Sequence, residues 1–328
     1  RNFQFYLYTI LVGKTKMRKF VEKVVFFLVI LVPILIMGIY LSHLEGWREY
    51  FCRITDSNNY IESSVNGSDE IKPFIWKVRE QNNTEILVIG DSICHQMFEN
   101  ISENNGDITY AASNAAITMA GQYILAKEYL DNHANAKEIY LIVHPTSLKR
   151  TFDTTYGYQY IIIPFSETNT LMDLDKGTVD ICKTVYGDVF LEPEVENIID
   201  KSGMNRKLYL NLLKKYGKSY EEKMPFEIAD EYISKIYGLC EERNVKFYLV
   251  SSPVSAELQM TCEELEKEYT ESWMSKICPD YFKNIVYYPA EQSEDGFHFS
   301  GEYKSQEYLN RLIKQIFDDY SLVDAIEF

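Results

Sequence analysis

A serine, a histidine and an aspartate stand in two short segments near opposite ends of this 328-residue chain. Ser92 follows Gly90-Asp91, and His298 comes three residues after Asp295. A serine hydroxyl attacks a carbonyl carbon efficiently only when a base takes its proton, and that base needs a group that orients it. The three residues therefore predict nucleophilic acyl transfer, with Ser92 as nucleophile, His298 as base and Asp295 as the orienting carboxylate.

The residues before Ser92 predict the strand and turn that would expose its hydroxyl. Ile86 to Ile89 are four consecutive apolar residues, three of them β-branched, which is typical of a buried parallel strand. Gly90 then turns the chain, and a residue directly after such a turn lies at the carboxyl edge of an α/β sheet, where ligands bind. Gly-Asp-Ser is also a common turn sequence, so the function depends on the joint occurrence of Ser92 with the downstream pair.

Short apolar runs alternate with amphipathic stretches along the rest of the chain, which is typical of βαβ units. The predicted fold class is α/β, with a doubly wound, mainly parallel sheet of five strands. The alternation breaks between residues 151 and 225, which predicts an insertion in the domain. The strands after the first are expected at 108–111, 138–143, 245–250 and 284–288, and the principal helices at about 116–130, 226–242, 263–276 and 300–318.

The G-D-S segment ending at Ser92 and the D-x-x-H segment from Asp295 to His298 resemble those of the SGNH, or GDSL, hydrolase and acyltransferase superfamily. The resemblance covers roughly residues 84–320. It implies a flavodoxin-like doubly wound fold and a serine esterase or O-acyltransferase activity through a Ser-His-Asp triad. No cofactor and no metal are expected. The segments between the two motifs resemble, more narrowly, the membrane-anchored DltD-like and AlgJ-like proteins of polysaccharide acylation systems.

The resemblance also implies an oxyanion hole built after the second and third strands. Ser113 and Asn114 follow the second strand, so the Ser113 backbone N–H or the Asn114 side-chain amide is expected to act with the backbone N–H of Ser92. The third strand ends at His144, where the family asparagine has no match. A single histidine at a strand end is more often structural, but this end faces the expected site, so His144 is a candidate for substrate contact. The missing donor leaves an alternative open: a catalytically weak or inactive SGNH-fold accessory subunit that binds a glycan or a membrane acyltransferase.

Cys94 is a second candidate nucleophile, two residues after Ser92. A small buried residue in the first turn of a helix is the commoner role for such a cysteine. None of the six cysteines forms a C-x-x-C pair, which argues against a zinc knuckle. The acidic residues form no ligand cluster, so neither a metal site nor a metal-dependent phosphoesterase is predicted.

Charge is distributed unevenly along the chain. Residues 1–23 have a net charge of +5 and the whole chain has a net charge of −16, so the remaining residues have a net charge of −21. An acidic body lacks the clustered Lys and Arg that phosphate contacts require, which argues against nucleic-acid binding.

An apolar run without a charge occupies residues 24–41. Its length nearly suffices to cross a hydrocarbon core of about 30 Å. The positive-inside rule then places residues 1–23 in the cytoplasm and the acidic body outside the cell membrane. The run is long and no A-x-A-like site follows it, so a retained single-pass anchor is favoured over a cleaved signal peptide. In this organisation residues 42–83 form a polar linker, 84–320 the SGNH-like domain and 321–328 a tail.

Met17-Arg18-Lys19 directly before the anchor would make a normal beginning, so residues 1–16 are not expected to belong to the natural product. Anchoring outside the cytoplasm, together with the family likeness, points to an O-acylated cell-envelope or secreted polysaccharide as substrate. A membrane-bound acyltransferase is the expected protein partner.

Overall fold

The computed structural model describes residues 21–37, 67–99, 101, 107–187, 213–293 and 295–326. The chain divides into two compact units, Arg1–Tyr60 and Ile61–Phe328. In the first unit, residues 21–37 are helical. The predicted anchor, residues 24–41, lies partly outside the described residues. Among those that are described, no helix combines the length and the apolar character needed to cross a membrane.

The second unit alternates strands and helices along the chain. Its first half contains α1 (Gly67–Arg79), β1 (Ile86–Gly90), α2 (Ser92–Phe98), β2 (Ile108–Tyr110), α3 (Met119–Asn132) and β3 (Glu138–Val143). Its second half contains α4 (Ile163–Glu167), α5 (Lys176–Tyr186), α6 (Glu227–Arg243), β4 (Lys246–Ser251), β5 (Val254–Ser255), α7 (Gln259–Tyr269), α8 (Met274–Ile277), β6 (Tyr287–Tyr288), α9 (Gln306–Ile316) and α10 (Ser321–Ala325). The predicted α/β class is confirmed.

Four parallel strands form the main sheet in the order β2-β1-β3-β4. The prediction of five strands in this sheet is wrong, because the segment expected as the fifth strand contributes only β6, which pairs with β5 in a separate two-stranded sheet. The backbone N–H of Asn284 donates to the carbonyl of Asp280 and so closes a turn. Pro289, directly after β6, has no N–H to donate. The turn and the proline therefore bound β6 on either side.

The main sheet has a hydrophobic core on each face, as in a doubly wound fold. Leu87, Ile89 and Leu141 face a core that includes apolar residues of α1, α3 and α6. Val88 and Ile142 face the opposite core, with apolar residues of α2 and α9. Because side chains alternate between the two faces of a strand, burial of both faces explains why β1 and β3 are continuous apolar runs.

Two segments outside the predicted βαβ pattern also contribute to the core. Residues 67–79, assigned above to the linker, form α1, whose Ile71, Ile75 and Val78 are buried at helical spacing. Buried side chains of residues 151–187, the described first half of the predicted insertion, belong to the same core cluster. Residues 188–212 of that insertion lie outside the described residues.

Candidate active site

The turn after β1 places Ser92 at the carboxyl edge of the sheet. A Cβ atom on Gly90 would lie 2.0 Å from the Ile142 carbonyl oxygen and 2.6 Å from the Cβ of Cys94. Only glycine therefore lets β1 pass this close to both β3 and the first turn of α2. Asp91 is the extended N-cap residue, and Ser92 is the first residue of α2. Ser92 is partly exposed at this edge.

The structure brings Ser92, His298 and Asp295 together in a hydrogen-bonded series. Nε2 of His298 lies 2.8 Å from Oγ of Ser92, and Nδ1 lies 2.6 Å from Oδ2 of Asp295. A carboxylate accepts a hydrogen bond from a nitrogen that carries a proton, so the contact with Asp295 places the imidazole proton on Nδ1. Nε2 is then free to accept the hydroxyl proton of Ser92. This is the arrangement that general-base activation of a serine requires.

Asp295 holds both the backbone and the ring of the histidine. Its Oδ1 accepts hydrogen bonds from the backbone N–H groups of Phe297 at 2.9 Å and His298 at 2.8 Å. Gly296 between them has φ of +80°, a conformation that favours glycine. Burial acts to raise the pKa of Asp295, but the hydrogen bonds from the backbone and ring of His298 and from Phe297 N–H lower it to about 2. The carboxylate is therefore ionised at neutral pH.

Gln96 connects the helix that carries the serine to the loop that carries the histidine. Its Oε1 accepts a hydrogen bond from the backbone N–H of Phe299, directly after His298, at 3.1 Å. The sequence analysis did not identify this residue. The available signal was its spacing, because a residue four positions after Ser92 lies on the same face of a helix.

Asp91 is a second residue that the sequence analysis did not assign to the site. Its buried Oδ1 accepts from the backbone N–H of Ile93 at 3.1 Å, as expected for an N-cap carboxylate. Its Oδ2 accepts from the backbone N–H of His144 and the hydroxyl of Ser147, both at 2.6 Å. The side chain thus joins the serine turn to the loop after β3. Its N-cap position was visible in the sequence, whereas the bonds to His144 and Ser147 were not.

The residues predicted for the oxyanion hole lie after β2, at the same edge of the sheet as Ser92. Ser113 is buried and its Oγ accepts from the backbone N–H of Ala115 at 3.0 Å, whereas Asn114 is exposed. Among the described residues, none accepts a hydrogen bond from the backbone N–H of Ser92, Ser113 or Asn114. Within the described residues these backbone donors are therefore not engaged.

His144 lies next to the triad but makes no hydrogen bond to it through its ring. The imidazole is only 2% exposed, and it packs edge-to-face against Phe297 with ring centroids 5.3 Å apart. Nδ1 lies 2.8 Å from Oγ1 of Thr146 and accepts from the backbone N–H of Thr146 at 3.2 Å. Burial lowers the pKa of His144 to about 4; nearby Asp91 opposes this shift, while His298 and Arg150 add to it. The ring is neutral at pH 7.

The alternative nucleophile Cys94 is fully buried in the first turn of α2. Burial, followed by the charge of Asp91, raises the pKa of its thiol well above the usual range. A buried, protonated thiol is a poor nucleophile, which leaves Ser92 as the better-placed candidate nucleophile. Across the described part of the chain, no group of three or more His, Cys, Asp or Glu side chains is arranged to hold a metal ion.

Comparison with known proteins does not assign a family. No family model and no curated protein matches the chain. The chain is similar to a solved structure described as a "putative platelet activating factor from Streptococcus pneumonia", with 13% sequence identity, a TM-score of 0.34, and coverage of 75% of this chain and 91% of the other. The TM-score is too low for this likeness to indicate a function.

Proposed function

We propose that this protein is a membrane-anchored serine esterase or O-acyltransferase that acts on an O-acylated cell-envelope or secreted polysaccharide. The proposal rests mainly on one observation, the contact between Ser92, His298 and Asp295 at the carboxyl edge of a parallel sheet. Neither the G-D-S segment nor the D-x-x-H segment would indicate this activity by itself. Their side chains meet in the order and at the distances that an activated serine needs.

The reaction would proceed in two acyl-transfer steps. Ser92 Oγ attacks the ester carbonyl while its proton passes to Nε2 of His298, and Asp295 stabilises the imidazolium that forms. The backbone N–H of Ser92, with Ser113 N–H or the Asn114 amide, binds the oxyanion. Collapse of the tetrahedral intermediate breaks the ester bond, and His298 returns the proton to the departing alcohol. An acyl group is left on Ser92.

The acyl group on Ser92 is then removed by a second nucleophile. His298 takes a proton from a water molecule or from a sugar hydroxyl as that group attacks the acyl carbon. Collapse of the second intermediate releases Ser92, which regains the proton from His298. Water yields hydrolysis, and a sugar hydroxyl yields transfer, so the same residues support both activities.

Charge and hydropathy support a location at the outer surface of a membrane. Basic residues 1–23 precede the apolar run 24–41, and the rest of the chain is acidic. An enzyme for small soluble esters gains nothing from a tether, whereas a tethered enzyme is well placed to modify envelope or secreted polysaccharide. A membrane-bound acyltransferase would be the partner that supplies acyl groups for transfer.

The proposal is tested by labelling the full chain, purified in mild detergent, with a fluorophosphonate probe for activated serines. We expect the wild type to be labelled, and Ser92→Ala and His298→Ala to be unlabelled. Cys94→Ser serves as the control and should be labelled like the wild type. Release of acetate from an acetylated polysaccharide, with and without an oligosaccharide acceptor, would then distinguish hydrolysis from transfer.

Absence of labelling in a folded wild-type chain would contradict the catalytic proposal. It would favour the accessory function, in which the same fold binds a glycan or a membrane acyltransferase without chemistry of its own. Labelling that persists in Ser92→Ala would mean that a different serine is the nucleophile.

A further inference from the structure

The imidazole of His144 holds a hydrogen-bond donor that has no acceptor in the described part of the structure. The backbone N–H of Thr146 donates to Nδ1, so Nδ1 carries no proton and the ring proton must lie on Nε2. Nε2 is buried and has no partner among the described residues. Buried polar atoms are almost always hydrogen-bonded, and the exceptions call for an explanation such as a catalytic role.

The backbone of His144 is tied to the turn that carries Ser92. In the sheet Gly90 is paired with Ile142, so Ser92 and His144 each lie two residues beyond the same pair. The backbone N–H of His144 donates to Oδ2 of Asp91 at 2.6 Å, which ties its position to the residue before the serine.

The ring of His144 also touches the loop that carries the base. It packs against Phe297, the residue before His298, with ring centroids 5.3 Å apart. His144 therefore contacts both the serine turn, through Asp91, and the histidine loop, through Phe297. Phe297 is only partly buried, so its ring is the part of this contact that a bound acyl group can displace.

We propose that Nε2–H of His144 donates a hydrogen bond to the oxyanion that forms when Ser92 attacks the ester. This inference rests on the proposed function. A shift of the Phe297 ring would let the acyl oxygen reach Nε2, and the buried donor would then gain its acceptor. The resemblance implies an oxyanion donor from an asparagine after the third strand, and this chain has none there. His144 would supply that donor instead. No proton is transferred, because a neutral imidazole donates the bond and keeps its hydrogen throughout.

Thr146 acts as a positioning residue in this arrangement. Its backbone N–H bonds Nδ1, and its hydroxyl lies 2.8 Å from the same atom. Together they keep Nδ1 unprotonated and direct the ring hydrogen to Nε2. The charged and titratable groups that act on the ring are Asp91, His298 and Arg150. Burial favours the neutral ring, which keeps the donor in one form across the working pH range.

The test compares two substitutions of His144 in the full chain. His144→Phe keeps an aromatic ring against Phe297 but removes the N–H, whereas His144→Gln keeps an N–H donor. Loss of an oxyanion donor typically lowers kcat about 100- to 1000-fold, so we expect this loss for His144→Phe with little change in KM for p-nitrophenyl acetate. His144→Gln should recover at least part of the lost kcat. The rate of fluorophosphonate labelling should follow the same order, because the phosphonyl oxygen occupies the oxyanion position.

A spectroscopic measurement is independent of activity. With ¹⁵N-labelled histidine, the NMR spectrum of the wild-type chain should show His144 as the neutral Nε2–H tautomer from pH 5.5 to 8. A His144→Phe variant that is folded and keeps kcat within threefold of the wild type would overturn the proposal, as would an Nδ1–H tautomer. If His144→Phe does not fold, equal kcat for His144→Ala and His144→Gln would overturn it instead. Failure of the proposed function is distinguishable, because then Ser92 of the wild type itself would not be labelled.

Discussion

Nε2 of His298 lies 2.8 Å from Oγ of Ser92, although 206 positions separate the two residues in the chain. Contacts on both sides of the histidine loop maintain this approach. An antiparallel bridge between Ser293 and Phe299 closes the loop at its base. Gln96, in the helix that begins at Ser92, accepts a hydrogen bond from the backbone N–H of Phe299. The distance between the Ser92 hydroxyl and the His298 ring is therefore determined by tertiary contacts at the loop ends as well as by Asp295 within the loop.

Asp295→Asn should lower kcat/KM about 10⁴-fold if the triad is catalytic. The amide of asparagine can donate to Nδ1, which would move the ring proton to Nε2 and prevent that nitrogen from accepting the serine proton. Hydrolysis of p-nitrophenyl acetate at pH 7 by the purified chain measures the effect. Asp318→Asn, at an exposed position, is the matched control and should leave the rate unchanged. A loss below tenfold for Asp295→Asn would mean that the carboxylate does not orient the base.

The stability that Asp295 contributes should depend on pH in the acid range. Its pKa in the folded chain is about 2, below an ordinary value of about 3.9 for aspartate. A lowered pKa contributes stability that is present above the unfolded-state value and is lost as the pH falls through the folded-state value. The difference in unfolding free energy between wild type and Asp295→Asn should be constant from pH 7 to pH 5 and should decrease between about pH 4 and pH 2. Urea titrations at each pH measure it, and a difference that grows on acidification would contradict the assignment.

Asp91→Asn should destabilise the protein and also slow the labelling of Ser92. The buried carboxylate accepts hydrogen bonds from backbone and hydroxyl donors on two segments, and an amide must turn its NH₂ group toward some of them. The loss in unfolding free energy should be about 2–4 kcal/mol, in the range for a buried charged acceptor. Ser147→Ala removes only one donor and should cost about 1 kcal/mol. Urea denaturation of the three chains gives both values, and equal stabilities would refute the role of Asp91.

Gly90→Ala and Gly238→Ala should change stability in opposite directions. A Cβ at position 90 would overlap the Ile142 carbonyl at 2.0 Å, so β1 must move and at least about 2 kcal/mol should be lost. A Cβ at position 238, inside α6, would meet nothing within 4 Å. Alanine there should stabilise the helix by about 0.5–1 kcal/mol. Thermal unfolding midpoints measure both changes, and a Gly90→Ala chain as stable as the wild type would contradict the close approach.

Local sequence was sufficient to locate β3 and β4. The apolar runs expected at 138–143 and 245–250 correspond to β3 at Glu138–Val143 and β4 at Lys246–Ser251. β3 can be read from sequence because burial of both its faces leaves a continuous apolar run. β4 is an edge strand, and only its second half, Leu249 to Ser251, is fully buried. The fifth strand was predicted wrongly by the same logic. An apolar run shows that a segment is buried, but it does not show which edge the segment pairs with.

The candidate site also combines features that the sequence predicted with features that only the structure revealed. The sequence by itself determined which residues could carry out acyl transfer, because the types and spacing of Ser92, Asp295 and His298 are local features. Only the tertiary structure decided that Ser92 and His298 touch, that Asp91 joins two loops, and that Nε2 of His144 is buried with no acceptor among the residues that the structure describes. The physical reason is that each of these facts depends on atoms from segments far apart in the chain. Their distances follow from how the sheet and its loops pack, and short-range patterns do not record them.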